Sequence, residues 1–208
     1  MKCRFSLSYR DLEEMAGIRG TQIDHATLQR WVIRFVPLID AAVRKRKKPV
    51  GNSWRMDETY IKVNGVWVYL YRAVDSLGNT IEFLLRKHRD ADAAKAFFRK
   101  AFKYNGLPEK VTIDKSGSNI SALKAANKTQ PEDQQIEIRQ VKYLNNIVEQ
   151  DHRFIKKRTK PMLGFKSFRS AKINITGIEN IRIIQKGQLI ASNNNLSTFE
   201  NFKMLMAA

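Results

Sequence analysis

The spacing of apolar residues along this chain switches between a helical period and a period of two, and each switch marks an element. Leu12 and Met15 form the apolar edge of a short helix over Ser8 to Ala16, with Ser8 placed to cap it, and Gly17-Ile-Arg-Gly20 breaks it. A second helix starts near Asp24 or Thr27 and carries Leu28, Trp31, Val32 and Phe35 at helical spacing. Two short helices around a glycine-containing turn make a helix-turn-helix shape, and Pro37 is expected to bend or end the second. Trp54 to Val63 and Val66 to Asp75 then alternate as strands around Asn64-Gly65, a strong hairpin signal, and Ser76 to Asn79 turn the chain into a third strand, Thr80 to Arg86. The helical period returns over Asp90 to Tyr104, with Ala94, Phe97, Phe98, Ala101 and Phe102 on the inner side. A short strand over Lys110 to Asp114, a helix from Gly117 to about Asn127, and a strand over Ile136 to Arg139 follow. Asn146 can cap a helix reaching about Arg158, and an amphipathic helix with Ile178 and Ile181 runs from roughly Ser167 to Lys186. The tail from Ser192 is polar and offers no motif. The order βββ-α-β-α-β-α-α predicts an α/β fold, a five-stranded mixed sheet flanked by helices.

Charge narrows the function. The 208 residues carry a net charge of +18, far beyond what solubility needs, and such a field attracts polyanions, DNA or RNA first. No long basic amphipathic helix suggests a membrane-surface protein, and the longest apolar runs, such as Val66 to Leu70, are too short to span a bilayer. The first ten residues hold no apolar core of a signal peptide. Cys3 is the single cysteine, so no intrachain disulfide or cysteine-based zinc site can form. The basic run Arg44 to Lys48 before Pro49 reads as a solvated linker or as a segment lying along a phosphate backbone.

Three carboxylates carry the candidate chemistry. Asp57 falls inside the first strand, Asp114 at the carboxyl end of a strand beside a crossover, where α/β sheets hold their ligands, and Glu149 on a helix. Each has an ordinary reading: Asp57 as decoration of a polar face, Glu149 as the partner of Arg153 four residues on. Together, at one rim of a sheet, they would repel unless divalent metal held them. Two hard cations bridged by three carboxylates would activate water or a hydroxyl and stabilise a leaving oxygen, chemistry suited to phosphodiesters in so basic a chain. The expectation is that residues 57, 114 and 149 converge within a few ångströms. His152, Arg153 and Lys156 recur on or near the face of Glu149 and suit an approaching phosphate backbone, the bland alternative being an exposed charged helix. From residue 151 onward there are 11 Lys or Arg against 3 Asp or Glu, which favours a polyanion-facing surface. In the helix-turn-helix segment the groove-facing set would include Thr27, Gln29, Arg30 and Arg34.

Longer motifs carry a family likeness. They are Ser-Tyr-Arg-Asp-Leu-Glu-Glu-Met (8 to 15), Asp-His-Ala-Thr-Leu-Gln-Arg-Trp-Val (24 to 32) and Trp-Arg-Met-Asp-Glu-Thr-Tyr-Ile-Lys-Val (54 to 63). Trp-Val-Tyr-Leu-Tyr-Arg-Ala-Val-Asp (67 to 75), Ile-Asp-Lys (113 to 115) and Arg-Gln-Val-Lys-Tyr-Leu-Asn-Asn-Ile-Val-Glu-Gln-Asp-His-Arg (139 to 153) follow. Lys-Pro-Met-Leu-Gly-Phe-Lys-Ser-Phe (160 to 168) and Thr-Gly-Ile-Glu (176 to 179) close the series. In these residues the chain resembles the DDE transposases of the IS6 insertion-sequence family, the group with IS26-like elements, over about residues 8 to 186. The resemblance implies an RNase H-like catalytic core over 54–190, preceded by a helix-turn-helix-like DNA-binding segment (1–43) and a basic linker (44–53), and followed by a tail (191–208). It implies Asp57, Asp114 and Glu149 as catalytic metal ligands, the last two separated by 34 residues as in the family, with Lys156 as the basic residue after the glutamate. The implied cofactor is a pair of Mg²⁺ ions, or Mn²⁺. The implied partners are the element's terminal inverted repeats, target DNA and further copies of the chain on paired ends, in a bacterial cytoplasm near the nucleoid, with no membrane.

Implied chemistry is hydrolytic nicking of element ends to free 3′-hydroxyls, then their direct attack on target DNA. Only seven residues precede the Ser-Tyr-Arg-Asp segment, fewer than in most of the family, and the stretch Lys115 to Lys124 matches loosely. These departures keep an alternative: a truncated or domesticated DNA-binding protein, catalytically silent. A tyrosine recombinase is disfavoured, because Ile155 stands three residues after His152 where that chemistry wants arginine.

Overall fold

The computed structural model describes residues 2–141, 146–190, 192–193 and 195–207. Residues 142–145, inside the longest motif, lie outside the described set. The chain divides into two compact units, one of residues 49–61 and 66–154, the other drawn from 1–48, 62–65 and 155–208.

The first of these holds the sheet. Strands β1 (Ser53–Val63), β2 (Val66–Asp75), β3 (Thr80–Arg86), β4 (Lys110–Ile113) and β5 (Glu137–Gln140) lie in the order β3-β2-β1-β4-β5. β2 and β3 are antiparallel, whereas β4 runs parallel to both β1 and β5. This is the five-stranded mixed sheet expected of an RNase H-like core, and the helices that flank it are present. Asn64 and Gly65, at φ of 49° and 79°, supply the left-handed pair that a tight two-residue hairpin requires. Helix α3 (Ala91–Asn105), capped by Asp90, turns Ala94, Phe97, Phe98 and Ala101 onto Trp54, Met56, Tyr71 and Val111. Helix α4 (Gly117–Asn127) adds Ala122 and Leu123 to that core. Emptying one Phe position there would cost about 3–5 kcal/mol.

Cover of β1 changes sides at its middle. Trp54 and Met56 are buried on one alternation, then Thr59, Ile61 and Val63 on the other, with Tyr60 and Lys62 exposed. Asp57 and Glu58 occupy the changeover, the Asp57 side chain 27% exposed and that of Glu58 only 5%. Acidic side chains are tolerated there because Asp57 reaches solvent and buried Glu58 accepts from Asn119 and Arg89.

The second unit is helical. α1 (Tyr9–Ile18) starts with a capping box between Ser8 and Asp11, and α2 (His25–Arg46) is capped by Asp24. Of the two outcomes expected at Pro37, an end is excluded, because α2 continues nine residues beyond it. Val36 and Val43 on its inner face are buried, and Val43 packs with Ile183, Ile184 and Leu189. Pro37 lies on the exposed side, where water can serve the carbonyl that lost its donor. The run Arg44-Lys45-Arg46 therefore belongs to the last helical turn, where cations favour the helix dipole, and is not linker. Helix α5 (Asn146–Thr159) bridges the sequence between the units, and α6 (Phe168–Gln185) follows its Ser167 cap. The tail also folds. Ser197 and Glu200 form a reciprocal capping pair, and α7 (Thr198–Ala207) buries Leu205 beside Val43 and Ile183.

Candidate metal centre

The parallel pairing of β1 and β4 builds the site. Trp54 is level with Val111 and Arg55 with Thr112, and the same offset carried two residues further sets Asp57 level with Asp114. Adjacent strands lie about 4.8 Å apart, so two aspartates at this register face a shared space. One carboxylate oxygen from each of Asp57, Glu58 and Asp114 lies within 4.8 Å of the other two.

Each acid has different support. Asp57 Oδ1 accepts the backbone N–H of Glu58 at 2.9 Å, and its Oδ2 stands 3.7 Å from His152 Nδ1. Glu58 accepts from Asn119 Nδ2 at 3.0 Å and from Arg89 at 3.5 Å. Asp114 Oδ1 accepts the N–H of Ser116 at 3.1 Å, while Arg89 reaches Oδ2 at 3.3 Å. Partial burial, with the charges of Glu58 and Asp114 added, pushes the Asp57 carboxyl up to about 6, against the opposing backbone bond and Arg89. Burial also raises Glu58, which Arg89 and Asn119 oppose. The cluster as folded is short of positive charge. A set of hard oxygen donors with that deficit fits a divalent cation of the Mg²⁺ or Mn²⁺ class.

Of the three expected ligands, Asp57 and Asp114 come together and Glu149 does not join their cluster. Its carboxylate, 59% exposed in the first turn of α5, pairs with Arg153 at 3.6 Å. Glu58 takes the third place among the described residues. His152, expected at the DNA surface, is only 4% exposed, since helical spacing places it with Val148, Asp151 and Ile155 on the buried side of α5. Arg153 and Lys156 are exposed, as expected of residues that meet a phosphate backbone. On α2, Gln29, Arg30 and Arg34 are exposed, whereas Thr27 is half-buried and accepts from Arg30 at 2.8 Å.

Glu58 and Arg89 were missed by sequence reasoning. Strict alternation puts Asp57 and Glu58 on opposite faces, which hides that both carboxylates reach Asp114 at the end of the neighbouring strand. The run Arg86-Lys-His-Arg89 directly after β3 was the available signal for Arg89.

Comparison with known proteins decides the family. Residues 51–188 match the model of a family described as "DDE domain". The transposase for insertion sequence-like element IS431mec of Staphylococcus aureus is 40% identical over 186 residues, covering 88% of this chain and 80% of that protein. The transposase for insertion sequence element IS257 in transposon Tn4003, also from Staphylococcus aureus, matches at the same identity and coverage. The chain belongs to the DDE transposases of the IS6 family. Among solved structures, the HTLV-2 integrase catalytic core domain in complex with magnesium (dimeric form) is similar at a TM-score of 0.49 and 14% identity, covering 75% of this chain and 99% of that one. As an IS6-family transposase the chain is an enzyme of insertion-sequence movement, and its acid cluster lies inside the matched domain. Among the described residues no helix is long and apolar enough to cross a membrane.

Proposed function

We propose that Asp57, Asp114 and Glu149 together hold a pair of Mg²⁺ ions, with Mn²⁺ able to substitute, and that this centre nicks the terminal inverted repeats of an insertion sequence and joins the freed 3′-hydroxyls to target DNA. The observation that carries the reading is the level placement of Asp57 and Asp114 on neighbouring parallel strands, with α5 held against Asp57 through His152. Glu149 lies one turn before His152 on that helix, so a change of rotamer that releases Arg153 is the motion the reading requires. Bound metal would supply an activated hydroxyl and charge neutralisation at the leaving oxygen. The chain's own residues do the rest. Arg89 neutralises the acids before loading, His152 positions Asp57, and Arg153 and Lys156 hold phosphates on the outer side of α5. Thr27, Gln29, Arg30 and Arg34 of α2 belong to the proposed end-recognition segment, 1–43. Pairing of two element ends calls for more than one copy of the chain, acting beside the bacterial nucleoid.

The test is nicking of a supercoiled plasmid and of end-labelled duplex DNA in magnesium, comparing the natural chain with Asp114→Ala. The proposal expects nicks and 3′-hydroxyl ends only from the natural chain. Equal products from both would leave a DNA-binding protein without catalysis.

A further inference from the structure

Beside the acid cluster stand three aromatic side chains that the reaction above leaves unused. Tyr60 and Trp67 are 50% and 57% exposed, and Tyr69 is half-buried. The Tyr60 ring centroid lies 6.4 Å from that of Trp67 at an interplanar angle of 76°, and 5.4 Å from that of Tyr69 at 59°.

Their position follows from the pleat. Trp54 and Met56 of β1, with Tyr71 and Ala73 of β2, belong to the core under α3 and α4. Period two sets Glu58 and Tyr60 on that same face of β1, and Trp67 and Tyr69 on that same face of β2. Helical cover thins beyond Met56 and Tyr71, where Tyr69 still packs against the core and Tyr60 and Trp67 are exposed. Beyond Met56 the face carries Glu58, at the acid cluster, and then the aromatic strip, with Tyr60 about 7 Å along the strand from Glu58. Arg86 is the register partner of Tyr69, so it stands on this face too, and exposed Lys87, His88 and Arg89 follow it. Arg89 closes the arc by bonding Glu58 and Asp114.

Exposed ring faces bordered by a basic run on one side and a phosphodiester-cleaving cluster on the other complement a DNA strand whose bases are unpaired. Stacking on aromatic rings with cations on the backbone is how such strands are held without regard to sequence. We infer that Tyr60, Trp67 and Tyr69 form a stacking platform for unpaired bases next to the phosphodiester at the acid cluster, with the basic run 86–89 on the strand's phosphates. The inference rests on the reading of that cluster as the cleavage site.

The test needs no cleavage. The full chain, in EDTA, is titrated with a duplex bearing a short single-stranded overhang that contains 2-aminopurine, and with the blunt duplex of the same sequence. Binding should quench the 2-aminopurine and favour the overhang. Trp67→Ala and Tyr60→Ala should each remove the quench and weaken overhang binding by roughly 5- to 150-fold, the range for losing one stacked base, while blunt-duplex affinity holds. Trp67→Phe and Tyr60→Phe should keep most of the preference. Unchanged quenching in the alanine variants would overturn the platform. So would equal losses on both duplexes with a lowered melting temperature, which marks a packing role. A shift of the free protein to a smaller assembly in sedimentation, with overhang preference intact, would assign the strip to contact between copies instead. Nicking lost in Asp114→Ala while overhang preference stays separates failure of the platform from failure of the cleavage site.

Discussion

Nδ1 of His152 stands 3.7 Å from Oδ2 of Asp57, joining the second turn of α5 to the centre of β1. Residues three apart on a helix share a face, so this contact fixes where Glu149 begins: one turn away from the acids and turned toward Arg153 at 3.6 Å. Glu149, the third acid of the sequence pattern, thus stands on the helix that contacts Asp57 but outside the cluster of Asp57, Glu58 and Asp114.

Glu149→Gln should abolish cleavage while leaving duplex affinity within about twofold, because the carboxylate is exposed and makes no structural contact beyond its weak helical pair. Arg153→Ala should leave catalysis at saturating DNA near normal. Single-turnover cleavage beside a binding titration reads both. Full cleavage by Glu149→Gln would hand its role to Glu58.

Acidity should show in stability and in activity with opposite signs. Asp57 holds its proton up to about pH 6, above the usual carboxylate range near ~3.9. Between those values the folded chain binds a proton that the unfolded chain has released, so stability is full below about pH 4 and falls as pH rises through about 6. Glu58, also raised, acts in the same direction. Metal-supported cleavage needs the ionised form and should fall about tenfold per pH unit below 6. Melting temperatures across pH 4 to 8 should lose most of this slope in Asp57→Asn; an unaltered slope would assign it to other groups.

Asp114→Asn should raise the melting temperature of the metal-free protein, with a gain of about 1 kcal/mol from relieved repulsion, since functional acids are commonly held at a cost to stability. The same variant should lose the rise that magnesium gives the natural chain. Calorimetry with and without magnesium checks both, and a persistent magnesium effect would place the bound ion elsewhere.

A different ion pair holds α5 in place. Arg72, 1% exposed, meets Asp151, 5% exposed, at 3.3 Å. Asp151→Ala removes a carboxylate from a buried guanidinium and should destabilise by about 3–5 kcal/mol in denaturant unfolding. A loss under about 1 kcal/mol would mean that the arginine's other neighbours suffice.

Lys156→Ala should weaken DNA binding on every sequence alike and reduce the slope of log affinity against log salt by about one phosphate's worth. An unchanged slope would remove Lys156 from the interface.

How much of this was legible beforehand depends on the range of the interactions. The Asn64-Gly65 hairpin, the Ser8 cap and the Phe97–Phe98 face are local devices, and each is where the spacing put it. Where tertiary packing outweighs a local rule, sequence reasoning fell short. A buried face carried α2 through Pro37, and α7 formed in a stretch read as tail, although its Ser-x-x-Glu capping pattern was there to see. Glu58 and the burial of His152 depended on which side of β1 and α5 other elements cover, and alternation cannot supply that. Family motifs marked Asp57, Asp114 and Glu149 by type and order. Their distances were another matter.

Residue order alone set most of the elements, the basic field and the two aspartates that meet, because hydrophobic period, turn chemistry and charge are written residue by residue. Long-range packing alone brought Glu58 and Arg89 to those aspartates, paired Glu149 with Arg153, and left Tyr60 and Trp67 exposed beside them. Those facts come from strand register and from where helical cover thins, which are sums over residues far apart in the chain.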